Sequence, residues 1–451
     1  MFPPEFKERT HSWMADYPLL ERALDEAPPV SVRVNTSKTQ VKPSSDGVPW
    51  CATGYYLDGR PAFTFDPCLH AGAYYVQEAS SMFIEQAVGQ YITSPAVALD
   101  LCAAPGGKST HLLSLLPEGS VVVANELIRN RCAILTENIA KWGAVNAIVT
   151  QNDPADIGRL THLFDLVVAD MPCSGEGMFR KDAASRDEWS VANVRLCAER
   201  QRRIAHDVWD ALRPGGLFVY STCTFNREEN EDNIRHLVET LGAEVLPLTV
   251  DADWNIAVGE DLPSYRFFPH RTRGEGFFLA IVRKPDGRRQ QPKSVAVNRK
   301  TTTKPPQEIR NLLRGDFEFV TINGDFYALP DCAADIFRTV AERLRTVSAG
   351  VPVGRLKGKD FVPSQGLALS AALRKDAFQR MEMTWDEAVR YLQREAPALA
   401  NDTPQGLYLA EYQGLPIGFA RNIGRRINNL YPQEWRIRSR DLPPSAPRIL
   451  P

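Results

Sequence analysis

The chain reads as an α/β protein whose largest part is a parallel sheet of βαβ units. Three observations carry that reading. Short apolar runs recur between residues 95 and 284, amphipathic helical patterns with Gly/Pro turns separate them, and a Gly-rich loop joins the first run to the first helix. The 451 residues, at about 150 per domain, make room for roughly three domains and a large core. Hydrophobic residues make up 43% and charged ones 24%, which excludes collagen-like and wholly disordered chains. With 53 basic and 55 acidic residues the formal charge is −2, so there is no uniformly basic coat and any nucleic-acid surface must be local. No run approaches ~18 consecutive apolar residues and the N-terminus has no apolar leader pattern, so a cytoplasmic protein without membrane contact is expected. None of the eight cysteines forms a Cys-x-x-Cys pair. No metal site is therefore expected, and a cysteine that matters should act as a free thiol.

Taken in order, residues 1 to 90 are mixed and Pro-punctuated, and Val32-Arg33-Val34-Asn35 alternates as a strand with Arg33 and Asn35 on one face. Parallel-sheet strands are expected at 96–99, 121–124, 147–150, 164–169, 216–221 and 276–282. Between the fourth and fifth, Ile204, Val208, Ala211 and Leu212 form one helical face before a Pro214-Gly215-Gly216 stop. After Thr224, Asn226 and Glu229 are spaced as a capping box ahead of a stripe of Ile234, Leu237, Val238 and Leu241. Residues 286–306 hold Arg288, Arg289, Lys293, Arg299, Lys300 and Lys304 against Asp286 alone, a basic linker. A compact region resumes at 307. A last segment begins near 386, where arginines 421, 425, 426, 436, 438 and 440 interleave with Phe419, Tyr431 and Trp435, as on a nucleic-acid surface or a solvated charged face.

The chemistry concentrates at strand ends. The stretch Leu99-Asp100-Leu101-Cys102-Ala103-Ala104-Pro105-Gly106-Gly107-Lys108-Ser109-Thr110 follows a strand and enters a helix, which brings backbone N–H groups toward a ligand. Gly107-Lys108-Ser109 imitates the end of a phosphate-binding loop, but Cys102 stands where that loop needs a glycine. A G-x-G-x-x-G dinucleotide motif is also missing. A Rossmann-like loop with no pyrophosphate to hold suits a nucleoside-type cofactor such as S-adenosylmethionine. Glu126 closes the second strand, where this architecture bonds ribose hydroxyls, and Asn152-Asp153 closes the third, toward an adenine edge. Each carboxylate alone reads as a helix cap; together at successive strand ends they favour a ligand. Cys173, in Asp170-Met171-Pro172-Cys173-Ser174-Gly175, and Cys223, in Ser221-Thr222-Cys223-Thr224, fall at the same edge of adjacent strands. A thiolate is the nucleophile that adds to C6 of a pyrimidine and makes C5 carbon-nucleophilic.

On these motifs the chain resembles the Sun-domain (NSUN-type) RNA cytosine-C5 methyltransferases, in particular their bacterial RsmF-like ribosomal-RNA branch. Residues 31–35, 75–81, 99–109, 170–177 and 221–224 resemble the family's signatures, and 406–435, with Leu415-Pro416-Ile417-Gly418-Phe419 and Asn428-Asn429-Leu430-Tyr431-Pro432, its PUA-like tail. Asp182-Ala183-Ala184 departs from an expected acidic-Pro-acidic turn. The resemblance implies a Rossmann-like class I methyltransferase sheet (91–285) behind an N-terminal α+β domain (1–90). A basic linker (286–306), an intermediate domain (307–385) and a PUA-like RNA-binding domain (386–451) would follow. It implies Cys223 as nucleophile, Cys173 in resolving the adduct, and Asp170 holding the flipped base near the methionine end of S-adenosylmethionine. Cys102, Ala103, Ala104, Pro105, Gly106, Gly107 and Lys108 would wrap the cofactor, Glu126 take the ribose, Asp153 the adenine, and Arg131 brace that pocket. Arg180 and Lys181 would meet RNA phosphate, or else form a solvated basic pair. The implied partner is small-subunit ribosomal RNA or the assembling subunit, bound by a monomer. Four rivals remain open here: transfer RNA as substrate, a single-cysteine mechanism led by Cys173, a non-catalytic RNA-binding assembly factor and, more distantly, a P-loop nucleotidase.

Overall fold

The computed structural model describes residues 2–287, 304–398 and 403–450. The basic stretch 288–303, with five of the six cations read as a linker, lies outside the described residues. Near the N-terminus β1 (Val30–Val34) pairs antiparallel with β2 (Gly54–Leu57) and β3 (Tyr74–Val76) in the order β2-β1-β3. β1 is buried at every position. Arg33 is fully buried: its Nε donates to Gln77 Oε1 at 2.8 Å, its Nη2 to Thr110 Oγ1 at 2.6 Å, and its guanidinium lies 4.4 Å from the Trp142 ring centre. Asn35 Nδ2 donates to the carbonyls of Gly72 and Trp142. Arg33 and Asn35, the residue just after the strand, therefore fasten the N-terminal sheet to helices of the central domain.

The central sheet contains β4 (Val97–Asp100), β5 (Val121–Asn125), β6 (Ala147–Thr150), β7 (Phe164–Asp170) and β8 (Leu212–Thr222), all parallel, in the order β6-β5-β4-β7-β8. The chain steps outward from β4 to β6 and then returns to the other side of β4, so the loops after β4 and β7 part and leave a crevice at the carboxyl edge. Successive residues alternate between two apolar layers: Leu99, Val123, Val167 and Phe218 pack on one face, Ala98, Val122, Leu166 and Val219 on the other. Beyond β8, the strands β9 (Glu244–Leu246), β10 (Ala257–Val258), β11 (Tyr265–Phe267) and β12 (Phe277–Arg283) extend the sheet, with β12 antiparallel to β8 and paired also to β9.

All six expected strands form, with ends that shift, but the sixth, β12, runs antiparallel to β8 and is not the parallel strand expected. The expected helical face through Ala211 and Leu212 does not extend that far, because the helix stops at Trp209 and Leu212 already pairs with Phe164. The ladder then jumps to Leu166 opposite Leu217, so Arg213 to Gly216 bulge out of β8 instead of stopping a helix. The expected capping box is also displaced. Asn226 and Glu229 do bond each other, but the helix starts at Glu231, and the Asn226 N–H goes to Glu176.

C-terminal to residue 303, β13 (Glu318–Ile322), β14 (Asp325–Leu329), β16 (Val351–Lys357) and β17 (Asp360–Pro363) form one sheet, while β15 (Thr346–Ala349) pairs antiparallel with β6 and completes the central sheet. A last sheet holds β18 (Gln379–Glu382), β19 (Gly406–Tyr412), β20 (Leu415–Asn422) and β21 (Ile427–Asn429) in sequence order. Its core takes in Phe65 and Ala71 from the N-terminal segment, and Ile449 and Leu450 pack with Val30 and Val32. Two aromatics read as part of a nucleic-acid surface are instead core: Phe419 packs on Phe378, and Tyr431 on Tyr391. Arginines 425, 426, 436, 438 and 440 are exposed. No helix among the described residues is long and apolar enough to cross a membrane.

Candidate active site

β4 and β7 bring Asp100 and Asp170 to the crevice. After Asp100 the chain turns into the helix Gly107–Leu115, and Gly106 takes a φ of 116°, a left-handed conformation that a side chain would strain. Ser109 Oγ donates to Asp100 Oδ2 at 2.6 Å, while Asp100 Oδ1 is buried with no partner. Burial pushes the Asp100 carboxyl up to about 7. Lys108 Nζ sits 2.9 Å from Asp170 Oδ2, and Ser221 Oγ donates to Asp170 Oδ1 at 2.9 Å. Burial lowers the affinity of Lys108 for its proton, but Asp170 outweighs it and the ammonium is held above its ordinary value. A cleft of about 380 Å³ opens here, walled by Asp100, the Cys102–Pro105 stretch, Gly107, Lys108, Asp170, Cys223 and Phe277 among others.

The two candidate cysteines meet. β7 and β8 pair Asp170 with Ser221, so the loops beyond them leave side by side, and Cys173 Sγ lies 3.2 Å from Cys223 Sγ. Cys223 lines the cleft. The hydrogen bond to Cys223, with burial added, holds the Cys173 thiol well above its ordinary range. Cys102 is also kept a thiol, by burial first and then by the carboxylates of Asp100, Asp170 and Glu126.

Buried carboxylates hold the loops in place. Glu176 Oε2 accepts from the N–H groups of Phe225 and Asn226 at 2.7 and 2.8 Å, and Oε1 from Trp189 Nε1 at 3.0 Å. Glu229 accepts from the Ser174 N–H at 3.0 Å, from Gln201 Nε2 at 2.8 Å and from Asn226 Nδ2 at 2.7 Å. Each carboxylate ties the loop carrying one cysteine to the loop carrying the other. Gly177 crosses Gly276 so closely that a Cβ on Gly177 would stand 2.6 Å from the Cys223 carbonyl oxygen and 2.8 Å from that of Gly276. None of these braces was read from the sequence. Glu229 gave a signal there, but as a helix cap, because the pairing of β7 with β8 that gives it a second loop to hold is not local.

Glu126 and Arg131 stand together at the end of β5, 3.6 Å apart, and Glu126 Oε1 accepts from the Ile128 N–H. Asp153, half-buried after β6, caps the helix Pro154–Ile157 through the Ala155 N–H. Neither carboxylate lines the cleft that holds Asp170 and Cys223. Arg180 is not available to RNA: it is buried and forms an ion pair with Glu275, leaving Lys181 on the cleft wall.

Comparison with known proteins adds the family. Residues 93–283 match the family described as 16S rRNA methyltransferase RsmB/F, residues 2–79 the N-terminal domain of 16S rRNA methyltransferase RsmF, and residues 378–437 the methyltransferase RsmF PUA domain. The ribosomal RNA small subunit methyltransferase F of Vibrio parahaemolyticus is 31% identical over 436 residues, 90% of either chain. The chain belongs to the RsmF family. Its relative of the same name in Erwinia tasmaniensis is 30% identical over 470 residues, 96% of either chain. A solved methyltransferase homologue from Pyrococcus horikoshii, 27% identical with a TM-score of 0.53, covers 62% of this chain and is itself 99% covered. The NSun6 of the same organism, solved with SFG, shares the fold at 22% identity and a TM-score of 0.54, over 63% of this chain and 99% of its own. The RsmF family is S-adenosylmethionine-dependent, and the cleft fits that group. A buried, unpartnered carboxylate oxygen on Asp100, with Asp170 beside it, offers acceptors to a cationic ligand. In this RsmF-family chain the sheet from β18 to β21 is the PUA domain.

Proposed function

We propose that this RsmF-family chain methylates C5 of a cytosine in small-subunit ribosomal RNA, with Cys223 as the nucleophile and Cys173 as the group that resolves the adduct. The observation that carries this is the 3.2 Å between the Cys173 sulfur and that of Cys223, which lines the cleft. Relatives named for the small ribosomal subunit favour that RNA over transfer RNA. S-adenosylmethionine supplies an electrophilic methyl group when bound, held by the Cys102–Lys108 loop and, at its ribose and adenine, by Glu126 with Arg131 and by Asp153.

Cys223 Sγ bonds to C6 of the cytosine, and electron density passes to C5, which becomes the carbon nucleophile. Asp170, fixed by Lys108 and Ser221, holds the base in the cleft. Before the reaction Cys173 is held as a thiol chiefly by its hydrogen bond to Cys223. Once Cys223 is a thioether it no longer accepts that bond strongly, so Cys173 ionises more readily and can take the C5 proton as the bond to Cys223 breaks. C5 of a paired base is stacked, so the target must be single-stranded or extruded at a cost of a few kcal/mol.

Substitution separates the two sulfurs. With labelled S-adenosylmethionine and ribosomal RNA, Cys223→Ala should be inert with no RNA attached to protein. Cys173→Ala should accumulate a covalent protein–RNA adduct, visible as a shifted band on a denaturing gel. Trapping by Cys223→Ala and not by Cys173→Ala would hand the nucleophile's role to Cys173.

A further inference from the structure

We propose that a second cleft, at the junction of the N-terminal segment, the 307–385 region and the PUA domain, docks the phosphodiester backbone of RNA flanking the target. This rests on the reading of the chain as a ribosomal-RNA methyltransferase. The cleft, about 640 Å³, is lined by Lys38, Arg314, Arg374, Lys375 and Arg380, with Asp376 the one acid among its lining residues. In a chain of net charge −2 such a concentration of one sign is a local feature of the fold.

The hydrogen bonds leave much of this charge uncompensated. Arg374 pairs with Asp376 at 3.1 Å, and Arg380 with the buried Glu411 at 2.5 Å. Among the described residues the other three have carbonyl oxygens as their hydrogen-bond partners: Lys375 Nζ that of Gly414, Arg314 Nη2 that of Ala371, and Lys38 Nζ those of Ala71 and Lys141. Burial, with Lys375 nearby, pushes the Lys38 ammonium down to about 7.

The chemistry of the walls selects the ligand. Among the described residues no aromatic side chain lines the cleft, so they offer no platform for stacking a base. Arginine and lysine without base readers serve to position a backbone, not to read its sequence. Lys38 bonds the last turn of the helix Arg129–Trp142, whose first turn carries Arg131 beside Glu126. The ten residue steps from Arg131 to Lys141 put the cleft about 15 Å from the Glu126 end of that helix. It therefore meets RNA beyond the target nucleotide.

The test uses the full chain and a transcript of small-subunit ribosomal RNA, with affinity measured by fluorescence anisotropy across a salt series. The combined variant Arg314→Gln, Arg374→Gln, Lys375→Gln should bind at least about tenfold more weakly and lose about 0.7–0.9 of salt slope per contact removed. Its S-adenosylmethionine affinity should be unchanged. Asp376→Asn, at an exposed position, should do the reverse, binding RNA more tightly with a steeper slope, a gain that misfolding does not produce. Unchanged affinity and slope in both variants would overturn the groove. So would a loss seen only with protein-bearing subunits, which would mark the cleft as a protein contact. A wild-type chain that binds the transcript but transfers no methyl group to it would count against the enzymatic reading, while the salt slopes judge the groove by themselves.

Discussion

Asp100 illustrates how a single side chain can be placed by its strand and decided by its surroundings. It ends an apolar run, and the fold seals it from water with one oxygen bonded to Ser109 and the other bonded to nothing. Its carboxyl is pushed from 3.8 to about 7 by burial, and that of Glu229 from 4.5 to about 7 for the same reason. An acid raised on folding holds its proton more tightly in the native state. Its contribution to stability is complete below the unfolded value and is lost as the pH climbs through the folded one, at about 1.4 kcal/mol per pH unit and group. The cofactor-free protein should therefore melt at a lower temperature at about pH 8 than at about pH 5. Asp100→Asn, neutral at both, should show a shallower decline. Identical slopes for the two proteins in thermal melts would refute the assignment. The residue types at the site were legible in the sequence because Gly106, Cys173 and Cys223 stand in short motifs. The protonation of Cys173 was not, because it depends on a sulfur 50 residues away.

Elements set the distances that the chemistry needs. β7 and β8 are neighbours in register, so the loops that follow them start level, and the crossing of Gly177 over Gly276 fixes how close they stay. The Gly177 N–H also donates to the Cys223 carbonyl at 2.8 Å. Gly177→Ala would put a methyl group inside that contact, and either the Cys223 backbone or the start of β12 must retreat. Since a misplacement of ~1 Å costs about a hundredfold in rate, we expect the methyl-transfer kcat of Gly177→Ala to fall by about that factor. Calorimetry should find S-adenosylmethionine binding within a few-fold of normal. A variant with full kcat would show that the loops do not need this spacing. Strand existence was legible from apolar runs, because a strand buried on both faces must be apolar throughout. β9 to β11 and β15 escaped because they are short and β15 is brought to β6 from about 200 residues away.

For the whole molecule, the N- and C-terminal parts are built as one body. Trp385 donates to the Phe65 carbonyl, Tyr431 approaches His70, and Ile449 and Leu450 complete the packing around Val30 and Val32. If residues 386–451 folded as an independent domain, they could be removed without disturbing the rest. The structure argues otherwise, because the cut uncovers Phe65, Ala71, Val30 and Val32 on the remaining chain. Each large apolar side chain returned to water costs about 1.5–3 kcal/mol. The truncated chain should unfold at clearly lower urea concentration than the intact one or be recovered insoluble; an unchanged midpoint would show that the two parts fold independently. RNA contacts of the C-terminal region are better probed by charge substitution, which leaves this packing alone.

What the sequence by itself determined is the parallel sheet, the cofactor loop and the residue types at its strand ends, since apolar periodicity, glycine geometry and motif spacing are properties of short stretches. Only the tertiary structure decided that Cys173 is held as a thiol, that Arg180 is spent on Glu275, that Phe419 and Tyr431 are core, and that Lys38 and Lys375 share a cleft. Charge, burial and hydrogen bonding at those positions come from partners far away along the chain, and their energies exist only once folding has brought those partners within a few ångströms.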